Sequence, residues 1–156
     1  MKIKEIIIVV TVLAIDLITK YIVATNIELH QPIVIIKNFF EITYVKNIGA
    51  GFSILQGQQV LLSLIAGVVV IAMIVWLFKN KDENPILRYT VALMMAGALG
   101  NLVDRVYLGY VRDFLSFNIF GYDFPVFNVA DMALSIGVAI LFLLTLLQKE
   151  GENGKI

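Results

Sequence analysis

The chain has 156 residues, 60% of them hydrophobic and only 15% charged, with a formal net charge of zero. A soluble domain is roughly half apolar and a quarter charged, so this composition excludes an ordinary soluble fold, and the neutral balance implies no nucleic-acid partner. The lack of cysteine excludes disulfides, thiolate metal sites and a cysteine nucleophile, and a single histidine, His30, is too few for a histidine zinc site.

The N-terminal "MKIKEIIIVVTVLAID" has basic residues followed by an apolar stretch, as a cleaved leader does. No small-residue cleavage site follows, so a retained first span is expected over about Ile6 to Thr25. Asp16 and Lys20 interrupt it. They are four residues apart on one helix face with the acid first, the favourable direction for an ion pair. A charge at that depth costs several kcal/mol, roughly, so the two either pair structurally or support a site at the outer leaflet. Lys20 is long enough to reach toward the headgroups.

"PIVIIKNFFEITYVKN" comes next, β-branched and aromatic. It predicts strands of a small antiparallel sheet on the outer membrane face. A second, charge-free span follows over about Val60 to Phe78. A third, about Ile86 to Leu108, carries Ala96 and Gly100 in a spacing that permits close helix approach. It ends in Asn101, Asp104 and Arg105, read first as hydrogen-bonding glue between helices. Residues 109–128 hold Arg112, Asp113 and the aromatics Phe114, Phe117, Phe120, Tyr122, Phe124 and Phe127. That density suits the headgroup level, as a plain belt or as a lipid contact. The fourth span, about Val129 to Leu147, begins after Asn128, which can cap it with Asp131 at the third helical position. Residues 151–156 are read as a polar cytoplasmic tail on a single domain of residues 1–150.

Basic residues set the orientation. Lys2, Lys4, Lys79, Lys81, Arg88, Lys149 and Lys155 flank one side, and Lys37, Lys46 and Arg112 the other. Both termini are therefore expected in the cytoplasm. Asp113 follows the third span and Asp131 opens the fourth, so both fall at the outer surface. Two close carboxylates share a proton. One can then accept a proton from water while the other donates to a carbonyl oxygen, with no metal or cofactor. Asp131 also fits a plain capping role at the helix dipole.

The ordered blocks "D16LITK20", "N47IGAGFS", "GALGN101LVD104R105", "VRD113F" and "FNVAD131" resemble the bacterial lipoprotein signal peptidases, the type II signal peptidases, over nearly the whole chain. The resemblance implies four transmembrane helices with an extracytoplasmic β-cradle in the inner membrane. It implies an aspartic endopeptidase without cofactor that cuts diacylglyceryl-modified prolipoproteins before the lipidated cysteine. Asp113 and Asp131 match the catalytic pair. Asp16, Lys20, Asn47, Gly49, Asn101, Asp104, Arg105 and Asn128 match positions that support the site or bind substrate. Asn47 is expected to hold the substrate backbone, with Gly49 and Gly51 allowing close approach. Asn101 and Arg105 are expected to hold the loop bearing Asp113. Two positions depart from the family pattern. Arg112 stands where an apolar residue is usual, and can act on Asp113 or reach headgroup phosphates. Met132 stands where a small residue is usual. A monomer in contact with membrane lipids is expected.

Three rival readings remain at this stage. A small proton or ion carrier would also use intramembrane acids, but these sit mostly at one end. A non-enzymatic scaffold would need no carboxylate pair. A Ser-Lys peptidase would use Ser53 or Ser116 with Lys20.

Overall fold

A computed structural model describes residues 1–49 and 55–153, with side chains through residue 147. Four helices alternate with two hairpin-like strand pairs: α1 (Ile3–Asn26), β1 (Ile33–Ile36), β2 (Phe40–Asn47), α2 (Gln59–Lys79), α3 (Pro85–Leu108), β3 (Val111–Ile119), β4 (Tyr122–Phe127) and α4 (Val129–Asn153). All four helices are long and apolar enough to cross a bilayer. Their outward faces expose large apolar side chains such as Ile18, Leu64, Val68 and Phe142. That surface fits lipid as its solvent.

The predicted spans agree with the helices to within a few residues, because local signals fix their ends. Asn84 accepts from the Ile86 N–H at 2.8 Å, and Pro85 opens α3. Gly109 closes α3 in the left-handed region at φ 78°. The exception is α4, which continues past Leu147 to Asn153, so part of the predicted polar tail is helical.

The strands form one antiparallel sheet in the order β1-β2-β3-β4. Only its first half was expected. Its second half comes from residues 111–127, where density of aromatics masked alternation. Phe114 is buried, while Phe117 stacks on Phe40 at 4.6 Å and on Phe127 at 5.8 Å between centroids. The strands connect α1 to α2 and α3 to α4, so the sheet covers one end of the bundle. The start of α1, the end of α4 and the 80–84 turn lie at the other.

Helix α3 is the centre of the bundle and packs against α1, α2 and α4. Small residues make this possible. A Cβ on Gly97 would meet the Ala130 carbonyl, and one on Gly100 would meet the Asp16 carboxylate and, at 3.2 Å, the Ala130 Cβ. Gly100 therefore makes room for a buried polar group as well as for a neighbouring helix. At the terminal end, Arg88 is buried and donates to Glu5 Oε1 at 2.7 Å, to the Leu77 carbonyl at 3.0 Å, and to the Asn80 carbonyl. Arg88 is therefore not a free flanking cation: its charge is held in this buried tie between α1, α2 and α3.

Candidate active site

Helix α3, the start of α4, and strands β2, β3 and β4 converge on a cavity of about 840 Å³ under the sheet. Asp113, Asp131, Asn47, Asn101 and Arg105 line it on the polar side. Phe124, Pro125, Phe127, Met132 and Ile136 line it on the apolar side. Met132 is thus a wall of the cavity, one residue from Asp131.

The two aspartates come from different elements. Asp113 is carried by β3, opposite Val45 of β2, and is 2% exposed. Asp131 sits in the first turn of α4, where it and Asn128 form a reciprocal capping box. The Asp131 N–H donates to Asn128 Oδ1 at 2.9 Å, and the Asn128 N–H donates to Asp131 Oδ2 at 3.2 Å. Capping and site geometry are therefore one arrangement.

The polar network has only one orientation, because its ends are groups that can only donate. The Lys20 ammonium faces Asn101 Oδ1 at 2.9 Å, so the Asn101 amide nitrogen donates to Asp131 Oδ1 at 2.7 Å. The Asp131 N–H claims Asn128 Oδ1, so the Asn128 amide nitrogen donates to Asp113 Oδ1 at 2.6 Å and to Asn101 Oδ1 at 3.1 Å. The Gly49 N–H claims Asn47 Oδ1 at 2.8 Å, so the Asn47 amide nitrogen donates to Asp113 Oδ2 at 2.9 Å. Each carboxyl oxygen of the pair thus meets one fixed donor and keeps a lone pair free.

Burial first, and then the charge of Asp131, push the Asp113 carboxyl from its ordinary 3.8 up to about 7, against the donors Asn47 and Asn128 and the Lys20 charge. Asp113 can therefore hold or release a proton near neutrality.

The supporting residues differ in part from expectation. Lys20 is fully buried and does not reach the headgroups; it pairs with Asp16 at 2.7 Å. Asp16 Oδ1 accepts from the Ala130 N–H at 2.9 Å, placing an acid at the positive end of α4. Asn47 donates to Asp113 and accepts from the Gly49 N–H, and one of its amide hydrogens stays free among the described residues. Arg105 donates to the Gly49 carbonyl at 3.1 Å and holds the segment after β2, not the one bearing Asp113. Asn101 serves Asp131 and Asn128. The Asp113 strand is held by Asp104, whose Oδ2 accepts from the Arg112 N–H at 2.9 Å. Arg112 turns to Asp104 as well, away from headgroups. Gly51 and Ser53 lie outside the described residues. Ser116 lines a separate recess with Asn38, Glu41, Asn118 and Asp123, away from Lys20.

A four-helix membrane protein with an oriented carboxylate pair, Asp113 buried and Asp131 partly exposed, under an extramembrane sheet is the class that fold and site define. The model of signal peptidase (SPase) II matches residues 8–147. A lipoprotein signal peptidase of Staphylococcus aureus strain MRSA252 is 42% identical over 151 residues, 97% of this chain and 91% of that one. That of strain JH9 is 41% identical over the same shares. Among solved structures, a bacterial membrane enzyme determined in meso at 2.3 Å superposes with a TM-score of 0.88 at 39% identity, covering 97% of this chain and 92% of that one. A second, at 1.9 Å, gives 0.83 at 40% identity, with 92% of each chain covered. The chain belongs to the signal peptidase II family. The carrier reading finds no support in that membership.

Proposed function

We propose that this protein removes signal peptides from lipoproteins as an aspartic endopeptidase, with Asp113 and Asp131 as its catalytic pair. The observation that carries the reading is that both carboxylates face one cavity and are tied together through the Asn101 and Asn128 amides. The substrate is a prolipoprotein carrying diacylglycerol on its cysteine, cut just before that residue. The apolar wall of Phe124, Pro125, Phe127, Met132 and Ile136 suits the apolar signal segment and lipid chains. The protein works as a monomer among membrane lipids, with both termini in the cytoplasm and the site at the outer face of the bacterial cytoplasmic membrane.

A water held between the free lone pairs attacks the scissile carbonyl carbon. The ionised aspartate takes a proton from that water, and the protonated one gives its proton to the carbonyl oxygen. The aspartate that took the water proton then passes it to the amide nitrogen and the C–N bond breaks, while the other aspartate takes a proton back from the diol as it becomes a carboxylic acid, which restores the pair. The shared proton is assigned to the pair, not to either residue alone. The test uses purified enzyme reconstituted in lipid, with a diacylglyceryl-modified substrate. Asp113→Asn and Asp131→Asn should each lower turnover by on the order of 10³-fold or more. Near-normal cleavage by either variant overturns the pair.

A further inference from the structure

Arg112 departs from the family pattern, and the role above leaves it without a task. Its side chain is 14% exposed and encloses the buried Asp104 carboxylate. Nη2 lies 2.6 Å from Oδ1, and Nε lies 3.2 Å from Oδ1 and 3.1 Å from Oδ2. Its own peptide N–H reaches the same carboxylate at 2.9 Å. We propose that Arg112 is a positioning residue: it locks the backbone that carries Asp113 to the end of α3, and by neutralising Asp104 it leaves Lys20 free to orient Asn101. The inference rests on the Asp113–Asp131 reading.

Two buried acids, Asp16 and Asp104, share two cations, Lys20 and Arg112. Lys20 Nζ stands 2.7 Å from Asp16 and 2.9 Å from Asn101 Oδ1, but 3.7 Å from Asp104. It can turn to Asn101 because the guanidinium already satisfies Asp104. Without Arg112 one ammonium faces two buried carboxylates, and attraction draws it toward Asp104. Asn101 Oδ1 then loses its charged donor and keeps only the longer contact from the Asn128 amide, at 3.1 Å, to hold its amide toward Asp131.

The charged and titratable groups on the elements packed about Asp113 are Asp16 and Lys20 on α1, Tyr44 and Lys46 on β2, Asp104 and Arg105 on α3, Tyr110 before β3, Arg112 beside it on β3, and Asp131 on α4. Removing the Arg112 charge leaves that set one unit more negative. Asp113 then holds its proton to higher pH, so the activity profile moves toward alkali.

The test measures kcat and KM against pH in lipid-reconstituted enzyme, on a diacylglyceryl-modified substrate. Arg112→Gln should move the optimum up by about half to one pH unit. It should lower kcat by about tenfold while KM stays within about twofold. Arg112→Lys, which keeps the charge and loses the fork, should keep the optimum and recover part of kcat. Asp104→Asn should move the optimum down, and adding Arg112→Gln to it should bring the optimum back. That second pair decides the matter if Arg112→Gln alone does not fold. A stationary optimum in Arg112→Gln, or in Asp104→Asn where that is the comparison made, overturns the inference. So does an Arg112→Lys variant no better than Arg112→Gln. Asp113→Asn serves as the control: if it cleaves, the pair reading fails, whatever Arg112 does. If it is inactive and the optima do not move, only the role of Arg112 fails.

Discussion

Asp113 is a carboxyl kept from water, and its proton is linked to folding. Burial and the charge of Asp131 raise its folded pKa to about 7 from the ordinary 3.8. A raised pKa means the folded state binds the proton more tightly than the unfolded chain. The stabilisation is complete below the unfolded value and is lost as pH rises through about 7. Wild-type enzyme should therefore lose thermal stability between pH 5 and pH 8, and Asp113→Asn should flatten that slope. Melting temperatures of the two proteins in the same lipid at both pH values make the comparison, and equal slopes would place the pH sensitivity elsewhere. Asn47 acts on the same carboxyl from the opposite side. Its amide donates to Asp113 and favours the charged form, so Asn47→Ala should move the pH–rate profile up by about one unit. A profile that stays in place with a raised KM would return Asn47 to substrate binding, the role its motif suggested.

Helices were legible from the sequence to within a few residues because a membrane span announces itself by length and hydropathy, and its ends by Asn84, Pro85 and Gly109. The sheet was half legible. The segment before β2 carries β-branched residues, whereas in 111–127 aromatics occupy both faces, buried at Phe114 and cavity-lining at Phe124 and Phe127. The polar site was legible as a set of residues and not as a set of bonds. Sequence spacing puts Asn101, Asp104 and Arg105 on one helix end, but which neighbour each one meets depends on how α1 and α4 cross α3. That crossing is set by glycine. Gly100→Ala would drive a methyl group into the Asp16 carboxylate and Ala130, and should cost about 1–3 kcal/mol of overpacking while also weakening the pair's alignment. Gly67, in the middle of α2, meets nothing within 4 Å. There alanine should be neutral, or stabilise by up to about 1 kcal/mol through helix propensity. Reversible unfolding of both variants in mild detergent separates the two outcomes, and a Gly100→Ala protein as stable as wild type would show that α3 does not depend on this close approach.

Across the whole molecule, buried charge is concentrated at two ends of the bundle with an apolar waist between. At the sheet end, Asp16, Lys20, Asp104 and Arg112 form a buried cluster that reaches the cavity through Asn101, which accepts from Lys20. At the other end, Glu5 and Arg88 are enclosed by α1, α2 and α3, and Arg88 also satisfies the last carbonyls of α2. Leaving one member of such a pair alone strands a charge away from water, which typically costs about 3–5 kcal/mol. Replacing both by apolar groups of similar size avoids that charge and gives up only the carbonyl contacts. Glu5→Leu and Arg88→Met should therefore each lower folded yield and stability sharply, and the combined variant should recover much of the loss. None of the three should change the pH optimum or the turnover per folded molecule, because no cavity-lining residue touches this end. Active-site titration, set against the fraction that remains monodisperse, measures both quantities on one sample. A fall in turnover per folded enzyme with its pH profile displaced would mean the two ends are coupled through α3, the helix that contributes Arg88 to one and Asn101, Asp104 and Arg105 to the other.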